Sequence, residues 1–156
     1  MTVKSIQQCL PLLIVGLMML GCARRMQTSP TDAAALQKLQ THAPTSIIDG
    51  RGRVVELELE HKNVDDSTLL VVKDLSELRR LSLFGSSVTD DGLAHLGGLV
   101  RLEALGLGET QVTDDGVVSL QQLPNLKWLW ITDVDVTYPA IQKLKAARPQ
   151  LMVYER

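Results

Sequence analysis

The chain has 156 residues, 45% hydrophobic and 22% charged, enough for one domain with a short appendage and a buried core. That balance excludes disorder throughout, and 16 lysines and arginines against 18 acidic residues leave no broad cationic field for nucleic acid. Leucine occurs 27 times and aromatic residues five times, which points to many similar medium-sized core units rather than one core built round large rings.

Residues 1–21 read as an export signal. Lys4 gives a positive start, Leu10–Leu20 form an apolar run, and Gly21 and Cys22 end it. The run stops well short of the roughly 20 apolar residues that cross a bilayer, so cleavage is expected rather than permanent spanning. The ending Met19, Leu20, Gly21, Cys22 resembles the lipobox of bacterial lipoproteins. The resemblance implies that Cys22 is acylated and becomes the first residue of an exported, membrane-anchored chain, facing the periplasm or displayed at the cell surface. Cys9 would leave with the signal, so the mature chain would carry one cysteine and no disulfide. Residues 22–31 are polar, contain Pro30 and read as a flexible tether.

Residues 32–52 read as an N-terminal cap. Asp32–Gln40 suit a short helix with Asp32 as its N-cap, and Ile47, Ile48, Asp49, Gly50, Arg51 and Gly52 read as a strand turning into Val54.

Residues 53–156 repeat with a period of 24. Leu78, Leu102 and Leu126 open equivalent units, and Val54 opens an earlier one. Within the second unit Leu81, Leu83, Val88, Leu93, Leu96 and Leu99 are apolar, and the places equivalent to them are apolar in every other unit. The LxxLxL part alternates as a strand with one buried face does, and the later apolar residues recur every three places as on the inner side of a helix. A single unit cannot bury either face, so units must stack, with strands in a parallel sheet and helices behind it. At the far end Pro149 stops the last helix. Leu151–Tyr154 suit a terminal strand one residue out of step with the period, its edge guarded by Glu155 and Arg156.

The segments LRRLSLFGSSVTDDGLAHLGGLVR and LEALGLGETQVTDDGVVSLQQLPN resemble bacterial leucine-rich repeats. The resemblance implies an α/β solenoid of about four capped repeats, with the sheet on the concave side and the helices on the convex side. It also implies a noncovalent binding module rather than an enzyme, without cofactor. The place that holds asparagine or cysteine in many such repeats is Lys62, Ser86, Thr110 and Val134 here, so an asparagine ladder is not expected.

Asp66, Asp90 and Asp114 share one repeat position, and Asp91 and Asp115 the next. Stacked carboxylates could hold calcium, but capping of the helix that follows is the stronger expectation. Gly92 and Gly116 fit backbone crowding better than phosphate binding, because no lysine and hydroxyl residue follow them. His42, His61 and His95 lack paired metal-ligand spacing, and no metal site is expected. Glu56, Glu58 and Glu60 stand about 6.6 Å apart along one strand, a spacing that a glycosidase pair can have. Any solvent-facing strand produces that spacing, and an open sheet offers no walls to exclude water.

The outward strand positions hold Glu56, Glu58 and Glu60, then Arg80, Ser82 and Phe84, then Ala104, Gly106 and Gly108, then Trp128, Trp130 and Thr132. Every phenylalanine and tryptophan of the chain therefore faces outward. Leaving such rings solitary in water is unfavourable, so something should cover them. One candidate is internal cover, with Trp130 folding over Gly106 and Phe84 leaning into the same gap. The other is a protein or peptide ligand of the cell envelope, anchored by Arg80, Phe84, Trp128 and Trp130 with Glu56 and Glu58 at the border. A monomer is expected; a structural or self-associating role through the terminal edge strand is the alternative, with hydrolysis a distant third.

Overall fold

The computed structural model describes residues 28–60 and 63–155. The expected signal, Cys22 and most of the tether lie outside the described residues, as do His61, Lys62 and Arg156.

Helix α1, Pro30–Leu39, begins two residues before the expected cap. Ser29 is the N-cap, its Oγ accepting the Asp32 N–H at 3.2 Å, because Pro30 suits the first helical position, where its fixed φ fits and no N–H is needed. Asp32 is thereby placed inside the first turn, where it is buried. Its carboxylate accepts the Val54 N–H at 2.6 Å and ties the cap to the first repeat.

Strand β1, Thr45–Ile48, runs antiparallel to β2, Val54–Glu58. The turn between them is closed by Asp49, whose Oδ1 accepts the N–H groups of Arg51 and Arg53 at 2.8 and 3.0 Å. Gly52 supplies the left-handed residue, with φ 76°. The Arg53 backbone N–H, followed by its guanidinium, lowers the Asp49 pKa to about 2.

Strands β3 (Arg80–Ser82), β4 (Ala104–Gly106), β5 (Trp128–Ile131) and β6 (Met152–Glu155) then add in chain order, each parallel to the one before. Leu57, Leu81, Leu105, Leu129 and Val153 stand in one row across the sheet. After β2 to β5 come α2 (Asp66–Val72), α3 (Asp90–Ala94), α4 (Asp114–Ser119) and α5 (Tyr138–Ala147), and each helix from α1 onward packs against the next. The repeated apolar positions are buried in one cluster between sheet and helices, except half-buried Val136 and exposed Ala147. Both exceptions belong to the last unit, whose helix has no described neighbour on its far side.

The offset expected for the terminal strand does not occur. Trp128 pairs with Met152 and Leu129 with Val153, in step with the rest of the sheet. Leu151 misled the sequence reading because it fills a buried place just ahead of the strand.

The aspartates also depart from expectation. Thr89, Thr113 and Thr137 precede α3, α4 and α5, but their side chains do not cap those helices. Asp66 accepts both the N–H and the hydroxyl of Thr89, at 2.8 and 2.7 Å. Asp90 does the same to Thr113 at 2.8 and 2.6 Å, and Asp114 to Thr137 at 2.6 and 2.7 Å. Each carboxylate thus fastens the next unit rather than capping its own helix, and the Thr137 hydroxyl and N–H hold the Asp114 pKa below the usual carboxylate value. Asp65, in a capping box with Thr68, does cap its own helix. A Cβ on Gly92 or Gly116 would collide with the carboxylate of Asp66 or Asp90, which is the crowding those glycines relieve.

Candidate binding face

Two rows of outward side chains cross the sheet. One is Glu56, Arg80, Ala104, Trp128 and Met152; the other is Glu58, Ser82, Gly106, Trp130 and Tyr154. All of them except Met152 line a groove of about 700 Å³ together with Glu60, Phe84, Gly108 and Thr132. Strand β4 forms its floor, because Ala104 is buried and Gly106 carries no side chain, and Gly108 just beyond the strand extends it. With strands about 4.8 Å apart, that floor leaves a trough roughly one strand wide between the side chains of β3 and β5.

The acidic wall belongs to β2 and to Glu60 just beyond it. Glu56 lies 3.6 Å from Arg80 of the neighbouring strand, and Glu60 accepts the Ser82 hydroxyl at 2.7 Å. Glu58 is exposed, and its side chain has neither hydrogen-bond nor ion-pair partner among the described residues.

The aromatic wall belongs to β5 and β6. Trp130 and Tyr154 stack with centroids 5.4 Å apart and planes 11° from parallel, yet remain 42% and 45% exposed. Trp128 is half-buried, with Lys127 Nζ 5.7 Å from its ring centroid. That lysine is also bonded to Glu103 at 3.0 Å, which lowers the Glu103 pKa, and Glu103 in turn holds Arg79 at 3.2 Å. This row of alternating charge runs beside the groove and braces β3, β4 and β5.

Internal cover is partial and differently placed from expectation. Phe84 lies over Gly108, where a Cβ would come within 2.6 Å of its ring, and it stays 41% exposed. Trp130 does not fold over Gly106; the nearest atoms to a Cβ there belong to Ser82, at 3.5 Å or more. The tryptophan has a better partner in Tyr154, which offers a full ring face where Gly106 offers only backbone.

The sequence-derived residues Glu56, Glu58, Arg80, Phe84, Trp128 and Trp130 are thus brought into one groove. Tyr154 was missed as a member. A step of one repeat from Trp130 would have found it, had the terminal strand not been read out of register.

No family model and no curated protein matches the chain. Among solved structures, an internalin from Listeria monocytogenes matches with a TM-score of 0.50 and 19% identity. The chain shares the fold of this leucine-rich repeat protein. The match covers 84% of this chain and 39% of the internalin, so the chain spans well under half the length of that neighbour. At this identity the likeness is one of architecture, an α/β arrangement with a mostly parallel sheet backed by helices.

Proposed function

We propose that the chain is a leucine-rich repeat module of the cell envelope that captures a protein or peptide noncovalently on the concave, sheet side of a short solenoid. The observation that carries the reading is the trough over β4, where Ala104 is buried and Gly106 carries no side chain, flanked by exposed rings and bordered by carboxylates. Trp128, Trp130 and Phe84 act as apolar anchors, Arg80 with Glu56 and Glu58 as the polar border, and Tyr154 joins them. Large rings in a half-open groove suit the few-anchor pattern of protein recognition. Glu56 is engaged by Arg80 and Glu58 stands in open solvent, an arrangement that favours binding over acid–base catalysis. Anchoring would come from acylated Cys22; among the described residues no helix is long and apolar enough to cross a membrane.

The test uses Trp128 and Trp130, the only tryptophans of the chain, as both anchors and reporters. An occupant of the groove should shift their fluorescence. Trp128→Ala combined with Trp130→Ala should abolish crosslinking to an envelope partner while leaving the circular dichroism spectrum intact. Unchanged crosslinking refutes the anchor assignment.

A second reading, self-association, is favoured by β6, which among the described residues pairs with β5 alone and exposes Met152 and Tyr154. It predicts a mass that rises with concentration in light scattering, without any partner.

A further inference from the structure

Resting on the peptide-binding reading, we propose that the groove selects an extended segment lying across the strands. A lysine or arginine of the segment is held at Glu58, and an aromatic or proline residue about four places away rests on the Trp130–Tyr154 stack. Glu58, Ser82, Gly106, Trp130 and Tyr154 form one row across the sheet. Its two ends differ in chemistry and its middle is empty.

At one end, Glu56 and Glu58 of β2 and Glu60 just beyond it present three carboxylates to the groove against the guanidinium of Arg80. Arg80 is engaged by Glu56 and Glu60 is bonded to Ser82, which leaves Glu58 as the carboxylate whose side chain has no partner among the described residues. A cation completes this site; a second anion would meet repulsion.

At the other end, the Trp130–Tyr154 stack presents exposed apolar ring surface. Between the ends, Gly106 has room above it, since an added Cβ would touch only Ser82 at ordinary contact distance. A backbone can therefore approach the sheet there. Glu58 and Trp130 lie three strand spacings apart, about 14 Å, and an extended chain advances about 3.3 Å per residue, so the two anchors fall roughly four residues apart.

The test is selection from a random heptapeptide display library on the full chain in mild detergent, with wild type, Glu58→Gln and Trp130→Ala run in parallel. Glu58 and Trp130 are both exposed, and circular dichroism checks that each variant is folded. The expected result is enrichment of peptides pairing a basic residue with an aromatic or proline four positions away. Glu58→Gln should weaken the basic preference about fivefold and keep the aromatic one, whereas Trp130→Ala should do the reverse. Enriched peptides without a basic residue, or a basic preference untouched by Glu58→Gln, overturn this inference while leaving peptide binding standing. No enrichment overturns both. If a panel of N-acetylglucosamine oligomers then shifts the tryptophan fluorescence, the groove takes a glycan instead.

Discussion

Trp130 and Tyr154 sit at the same position of successive strands, and their rings stack 5.4 Å apart at 11° to parallel. The contact joins the last strand to the binding face, so one pair of rings serves both the end of the sheet and the wall of the groove. Tyr154→Ala should cost about 1 kcal/mol in urea unfolding and shift the tryptophan emission, whereas Tyr154→Phe should keep both near wild type, because the ring rather than the hydroxyl makes the stack.

The aspartate ladder predicts a specific coupling. Asp90→Ala removes two hydrogen bonds to Thr113 and should destabilise by about 1–2 kcal/mol. Gly116→Ala should destabilise the wild type, because the new methyl displaces the Asp90 carboxylate. In the Asp90→Ala background the same change should cost less, since the carboxylate clash is gone and alanine favours the helix by about 1 kcal/mol, leaving the contact to Val112 Cγ1 at 3.0 Å to be relieved. Helix α5 carries Ala140 at the equivalent place with the Asp114–Thr137 bonds intact, which puts the expected clash at the low end. Denaturant midpoints of the four proteins measure the cycle, and additive costs would contradict it.

One turn repeats a strained backbone. Gly85, Glu109 and Asp133 occupy equivalent places after β3, β4 and β5, with φ of 68°, 54° and 52°. A side chain is unfavourable in this left-handed region, by about 1–2 kcal/mol. Gly85→Ala should therefore destabilise and Glu109→Gly should raise the unfolding midpoint, glycine's greater freedom in the unfolded chain offsetting part of the gain.

Acid sensitivity should be concentrated at the β1–β2 turn. The pKa of Asp49 falls from 3.8 to about 2 on folding, chiefly through the Arg53 N–H and guanidinium. A depressed folded value means that the contribution is present above the unfolded pKa and is lost as pH falls from 3.8 through 2. Asp65, Glu103 and Asp114 are lowered too and act in the same sense. Asp49→Asn should flatten the loss of stability between pH 4 and pH 2, read from urea midpoints at each pH.

What the sequence disclosed followed from periodicity. The alignment of Leu81, Leu105 and Leu129, the outward direction of the tryptophans and the Glu56–Arg80 pairing all depend on residues at equal repeat positions meeting across parallel strands. What it hid depended on contacts outside that rule. Asp66 reaches Thr89 of the following unit because the carboxylate points along the stack rather than into its own helix, and no local pattern distinguishes the two. Ser29 displaced Asp32 as a cap because Pro30 sets the helix start, and Leu151 concealed the register that brings Tyr154 beside Trp130.

Binding in the groove puts ligand on the sheet and not on the helices. A photoreactive benzophenone side chain placed at Ser82, beside the trough, or at exposed Leu70 of α2 separates the two faces in cells. Adducts from position 82 that vanish with Trp128→Ala and Trp130→Ala, with none from position 70, are the predicted result. Adducts from position 70 alone would contradict it.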